Sequence, residues 1–205
     1  MAFYRDRVFP RLLDSVMDTP ETREVRARVC AGLTGEVVEI GFGSGLNLPW
    51  LPQGVSRLHA VDPSTLGARL AAGRIRESSV EVSPAGLDGQ ALTLGDASVD
   101  AALSTWTLCT IPDAVQALRE VRRVLRPGGR LYFVEHGTAP DEGVRRWQGR
   151  LDPLQQKVGC GCHLTRDIPD LIRRAGFRID RLDTYYMRKT TRLLGATYEG
   201  VASPA

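Results

Sequence analysis

EVVEIGFGSGLN, residues Glu36 to Asn47, decides how this chain folds. Val37, Val38 and Ile40 make a short apolar strand that runs straight into Gly41, Gly43 and Gly45. Glycine lets a backbone turn tightly and approach a ligand with no Cβ in the way. A strand that ends in such a turn and then opens a helix is the nucleotide-binding corner of an α/β sheet. Glu39 makes this corner acidic, which suits a ligand carrying positive charge better than a pyrophosphate. The dinucleotide fingerprint G-x-G-x-x-G/A is not met, since Leu46 holds the sixth position and Gly45 comes one residue early.

Outward from that corner the chain alternates strands and helices. RLHAVDPS follows; Arg57 to Val61 reads as a second strand ending at Asp62. A carboxylate about twenty residues past the glycines is placed to accept hydrogen bonds from ribose hydroxyls. Thr65 to Arg76 reads as a helix, Val80 to Ser83 as a short strand and Val99 to Leu103 as a buried strand. Asp113 to Leu125 is amphipathic, with Val115, Leu118, Val121 and Leu125 on one face, and stops at Pro127-Gly128-Gly129. Arg130 to Val134 is the next strand and ends in Glu135-His136. The alternation predicts a parallel sheet with helices on both faces and a ligand outside the carboxyl ends of the strands. The segments that matter are then Gly41 to Asn47, Asp62, Asp88 to Gln90, Ser104 to Cys109, and Glu135 to Gly137.

EIGFGSG (Glu39 to Gly45), VDPS (Val61 to Ser64), DASVDAALSTWTLCTIPD (Asp96 to Asp113) and EVRRVLRPGGRLYFVEHG (Glu120 to Gly137) together resemble a class I S-adenosylmethionine-dependent methyltransferase. TLC (Thr107 to Cys109), VEHG (Val134 to Gly137), WQGRLDP (Trp147 to Pro153) and GCHLTRD (Gly161 to Asp167) narrow the resemblance. They are similar to the methyltransferase-like group of membrane-associated alkyl thiol methyltransferases and to bacterial relatives often labelled phospholipid methyltransferases. That resemblance implies a Rossmann-like, doubly wound α/β sheet of seven strands, mostly parallel with an antiparallel last strand, under N-terminal lid helices. It implies one domain, with a lid over residues 1–33, a cofactor-binding half over 34–136, and a substrate cover with closing strands over 137–205. It implies S-adenosyl-L-methionine as cofactor: Gly41, Gly43 and Gly45 around its methionine part, Glu39 toward the amino group and Asp62 at the ribose, with Asn47 and Pro63 also among the cofactor-binding residues. Asp88, Gly89 and Gln90 would lie by the adenine, and Thr105 and Trp106 would border the methionine chain and the methyl. Phe42 stands where a cysteine is common in the group, so that side chain is not needed for the chemistry.

The composition is that of a soluble globular chain: 205 residues, 25% charged, net charge +3. Arg122-Arg123, Arg145-Arg146 and Arg173-Arg174 read as solvated helix faces, and no basic stripe with aromatics argues for nucleic acid. Nothing approaches the ~18 apolar residues of a membrane span, and no counterpart of the eukaryotic members' apolar anchor is expected; the expectation is a cytoplasmic protein. Phe9, Leu12, Leu13 and Val16 fall at helical spacing and suggest a helix over the active-site mouth. Four cysteines do not make a disulfide framework in an intracellular chain. Cys160-Gly161-Cys162-His163 lacks the second ligand pair of a structural zinc site, and no metal is expected.

Methyl transfer from a sulfonium is an in-line displacement that asks for alignment and exclusion of water. A thiol acceptor adds mild deprotonation, its free pKa being about 8.5. His136, at the end of the fifth strand, is the candidate base or orienting group, with a core histidine as the alternative. Cys109 falls near the methyl by the family map and reads as a small apolar wall. His59 reads as structural, and His163 follows a long irregular stretch, Gly137 to Leu164, that covers the substrate. Trp106, Trp147, Tyr185 and Tyr186 could wall a pocket or simply be core. Thr165 reads as the cap of a helix Arg166 to Ala175 that Gly176 stops, and Arg178 to Met187 and Tyr198 to Ala202 as closing strands. The expected activity is methylation of a small apolar thiol. Methylation of a phospholipid headgroup amine or a natural-product oxygen or nitrogen, and a non-catalytic cofactor-binding module, stay open beside it.

Overall fold

The computed structural model describes residues 3–205, so the first two residues of the expected lid lie outside the described residues. Seven strands form one sheet: β1 (Gly35–Ile40), β2 (Val55–Val61), β3 (Glu81–Pro84), β4 (Val99–Thr105), β5 (Leu125–His136), β6 (Phe177–Tyr186) and β7 (Ala196–Pro204). Their order across the sheet is β3-β2-β1-β4-β5-β7-β6. β7 alone runs antiparallel to both its neighbours, and the other pairings are parallel. The expected fold class is met, down to the antiparallel last strand.

Strand alternation sends successive side chains to opposite faces. Val38 and Ile40 of β1, Ala102 of β4, and Leu131 and Phe133 of β5 join one core with α4 (Ala114–Val124) and α6 (Ile168–Arg174). Val37, Ala101, Leu103 and Val134 join the other with α2 (Pro20–Cys30) and α3 (Thr65–Glu77). Both faces are therefore covered, as a parallel sheet requires. α4 buries Val115, Leu118 and Val121 and is capped by Asp113, whose side chain accepts from Gln116 N.

Three local expectations are corrected. The glycine turn does not open a full helix: Pro49 and Pro52 limit the short link to β2, and Leu48–Trp50 makes only a 3-10 turn. Gly137 to Leu164 is not irregular throughout, because Glu142–Val158 forms α5, a 17-residue helix that contains Pro153. Its glycines and proline hid it. Gln148, fully buried, anchors it by accepting from Ala139 N and donating to Gly137 O and Leu193 O. The helix expected from Arg166 begins at Ile168 instead. Asp167, not Thr165, caps it by accepting from Asp170 N, and Gly176 ends it at φ +87°.

At the N-terminus a π-helical turn, Tyr4–Val8, leads into α1 (Phe9–Val16). Leu12, Leu13 and Val16 are exposed. α1 is tied to α3 by the Asp14–Arg74 ion pair at 2.9 Å, and Arg74 also donates to Ser44 O of the glycine loop at 3.0 Å. No helix among the described residues is long and apolar enough to cross a membrane.

Candidate functional site

The strand order reverses between β1 and β4, and the crevice at their carboxyl ends collects most of the expected residues. Gly41 sits at φ +75°, and a Cβ there would lie 2.0 Å from Thr107 Oγ1, so only glycine fits. Gly45, at φ +76°, is pressed by Phe42 and Leu48. Gly43 differs: at φ +55° its nearest neighbour to a built Cβ is Gly41 O at 3.9 Å, which leaves open space above the turn. Asp62 fixes this turn by accepting from Gly43 N (2.8 Å) and Ser64 N (2.7 Å). Burial raises its pKa, opposed by those two amides. Pro63 is exposed beside it.

Beneath the turn lies a buried polar chain. Asn47 Nδ2 donates to Glu39 Oε1 (2.8 Å) and Thr105 Oγ1 (3.0 Å), while Arg26 Nη1 donates to Asn47 Oδ1 (2.6 Å) and Thr105 Oγ1 (3.2 Å). Arg26 also lies over the Trp106 ring, 4.9 Å from its centroid. Burial pushes the Glu39 carboxyl up to about 8, against the Asn47 bond and the Arg26 charge. Glu39 Oε2 and Arg26 Nε are buried with no hydrogen-bond partner among the described residues. A carboxyl oxygen and a guanidinium N–H left unsatisfied together suit the zwitterionic end of an amino acid. Arg26 is absent from the sequence reading, because a lone arginine on a helix of alternating charges gives no signal that it turns inward.

Asp88 is exposed and accepts from the backbone and side chain of Gln90, whose Oε1 accepts in turn from Asp113 N. With Gly89, packed near Ile40 and Ile111, this loop borders the other flank of the crevice.

A second cluster stands where β4 and β5 end. Glu135 is fully buried and accepts from Ser104 Oγ (2.6 Å), Thr107 N (2.9 Å) and Leu108 N (3.1 Å), which orders the loop after β4. Burial raises its pKa to about 7 in spite of those donors. That loop presents Cys109. The loop after α5 folds back on it: His163 N donates to Cys109 O at 3.0 Å, and Asp152 accepts from Leu164 N and faces His163 Nδ1 at 3.3 Å. Cys162 Sγ is thereby set 3.6 Å from Cys109 Sγ and 3.0 Å from His136 Nε2. The Cys162 thiol is pushed above its ordinary pKa, by Cys109 first and then by burial. Arg166 bonds Leu108 O beneath the pair. Cys109 and His136, expected in separate roles, thus share one place with a cysteine 53 residues away in sequence from Cys109. His59, expected to be structural, faces Glu36 Oε2 at 2.8 Å, away from both clusters.

Residues 38–133 match a family model described as a methyltransferase domain. Thiol S-methyltransferase TMT1A of Homo sapiens is 36% identical over 155 residues, 72% of this chain and 62% of that protein. Thiol S-methyltransferase TMT1B of Rattus norvegicus is 33% identical over 152 residues, 71% of this chain and again 62% of that protein. The chain thus spans about three fifths of the length of these relatives. Among solved structures, a methyltransferase in complex with the Trm112 activator of Haloferax volcanii superposes with a TM-score of 0.72 at 19% identity, covering 100% of this chain and 97% of that one. An S-adenosylmethionine-dependent methyltransferase of Thermotoga maritima gives 0.69 at 23% identity, covering 99% and 98%. These two share the fold, and the sequence relatives carry the kinship further. A glycine turn with open space above Gly43 and an unsatisfied carboxyl oxygen beneath it suits a cationic amino-acid cofactor, and with these likenesses the chain is similar to the class I S-adenosylmethionine-dependent methyltransferases.

Proposed function

We propose that the chain methylates a small apolar thiol, with S-adenosyl-L-methionine held over the glycine turn. That cofactor supplies an electrophilic methyl group on a sulfonium. In this reading Glu39 Oε2 takes the amino group, Arg26 Nε the carboxylate, and Asp62 the ribose hydroxyls, each with lone pairs or protons the fold leaves unused. Thr105 and Trp106 border the reacting end, and Asp88 to Gln90 the adenine side.

The observation that carries the thiol is the chemistry of the second cluster. Glu135 is held by three donors and Asp152 by Leu164 N, Gln156 and His163, so neither carboxylate is free to serve as a strong base. What remains is soft: two sulfurs and an imidazole. An amine or phenol acceptor would ask for more, whereas a thiol needs only mild activation. Identity to thiol S-methyltransferases supports the same choice.

The test is turnover of methyl-labelled S-adenosylmethionine against small thiols, amines, phenols and phosphatidylethanolamine vesicles. Label is expected in thioether product. Transfer confined to amine, oxygen or lipid acceptors would overturn the thiol while leaving the cofactor site intact.

A further inference from the structure

Cys109 Sγ, His136 Nε2 and Cys162 Sγ converge from three different segments of chain, and the donor atoms of these residues lie within 4.8 Å of one another. The 3.6 Å between the sulfurs is close to the edge of a tetrahedral zinc–thiolate site, about 3.8 Å for Zn–S bonds of about 2.3 Å. The nitrogen, 3.0 Å from Cys162 Sγ, has to open by about half an ångström to reach the matching S···N edge. His136 Nδ1 has no hydrogen-bond partner among the described residues, so no second bond pins the ring against that turn. The cysteines are held on both sides by the backbone bond from His163 N to Cys109 O and by Asp152 on Leu164 N.

We propose that Cys109, His136 and Cys162 are the protein ligands of a thiophilic divalent cation, zinc foremost, whose fourth position receives the sulfur of the acceptor; this last part rests on the thiol reading above. Three protein ligands with one open position is the arrangement of catalytic rather than structural zinc. The sequence hid it, since Cys109 is not paired with another ligand at short spacing. Charge closes as well. Two thiolates neutralise a divalent cation, an acceptor thiolate adds one negative charge, and the Arg166 guanidinium, which interacts electrostatically with both cysteines, offsets it. A thiol bound to such a cation is deprotonated outright. The acceptor's S–H proton leaves to solvent on coordination. A sulfur lone pair then forms the new S–CH3 bond as the methyl's bond to the sulfonium breaks, giving the thioether and S-adenosylhomocysteine. The thioether is neutral and a weaker ligand, so the open position is regained.

Titration of the reduced, chelator-stripped chain with cobalt(II) tests this without turnover. One equivalent should bind with thiolate-to-cobalt charge-transfer absorption that changes when a small alkyl thiol is added. Cys109→Ser and Cys162→Ser should each weaken cobalt binding by more than about tenfold, while still binding S-adenosylmethionine by calorimetry. No such absorption, or the same absorption in both serine variants, overturns the site. On the unaltered chain, where no variant has to fold, zinc should shield Cys109 and Cys162 from alkylation read by mass spectrometry; unchanged labelling also overturns it. A cobalt spectrum indifferent to added thiol overturns the open position. Thiol methylation at full rate after exhaustive chelation overturns the metal and spares the thiol reading. Methylation confined to amines or oxygens alongside an intact cobalt spectrum removes the thiol and keeps the site.

Discussion

Asp62 shows how one side chain can look ordinary and still hold the turn of a candidate site. An aspartate after a strand is commonly a turn cap, and this one is a cap: its two oxygens take Gly43 N and Ser64 N. Those bonds shape the glycine turn, and each oxygen keeps a lone pair that the ribose hydroxyls of the proposed cofactor would use. Removing the carboxylate therefore costs the ligand twice, through a lost contact and a loosened turn. Asp62→Ala is expected to weaken S-adenosylmethionine binding by about 1–3 kcal/mol, with Asp62→Asn between it and the parent because one acceptor survives. Unchanged affinity by calorimetry in the alanine variant would remove Asp62 from the cofactor site.

Among the elements, the strands and α4 were legible because their signals are local. Short buried apolar runs are bounded by turn residues, as Gly41 after β1 and Asp96 to Ser98 before β4, and α4 carries its apolar residues at helical spacing. α5 was not legible, for a physical reason. Gly143, Gly149 and Pro153 lower its intrinsic propensity, and Trp147, Leu154 and Val158 are exposed rather than gathered on a buried stripe. Buried Gln148 and Asp152 hold the helix to distant backbone, and sequence spacing does not report such contacts. Gln148→Leu should test this directly. It leaves Ala139 N, Gly137 O and Leu193 O without partners, at a cost of about 3 kcal/mol. The melting temperature is expected to fall by about 6–12 °C. A fall smaller than about 2 °C in a thermal melt would show that α5 is anchored elsewhere.

At the scale of the whole molecule, the topology assembles what the sequence scatters. The glycine turn, Glu39 and Asp62 were legible because they follow strands in a fixed order, whereas Arg26 and Cys162 reach the crevice from a helix face and a far loop. Burying Glu39 couples that assembly to pH. Its carboxyl is raised to about 8 in the folded chain from 4.5 in the open chain, chiefly by burial. The unfolded chain therefore binds fewer protons at this group between those values, and stability falls as pH rises through that window. Without cofactor, Glu39 contributes fully only below about pH 4.5, and the contribution is gone above about 8. An ammonium group placed against Oε2 pairs with the carboxylate and lowers its pKa again, so binding restores what ionisation removes. The stabilisation given by saturating S-adenosylmethionine should accordingly grow between pH 6 and 8.5, by several degrees in melting temperature. Glu39→Gln keeps an oxygen for Asn47 but cannot ionise, so it should bind the cofactor more weakly and show a gain that no longer varies with pH. Melts of both chains across that range, with and without cofactor, decide the matter. A pH-independent gain in the parent, or the same slope in the glutamine variant, would place the cofactor's amino group away from Glu39.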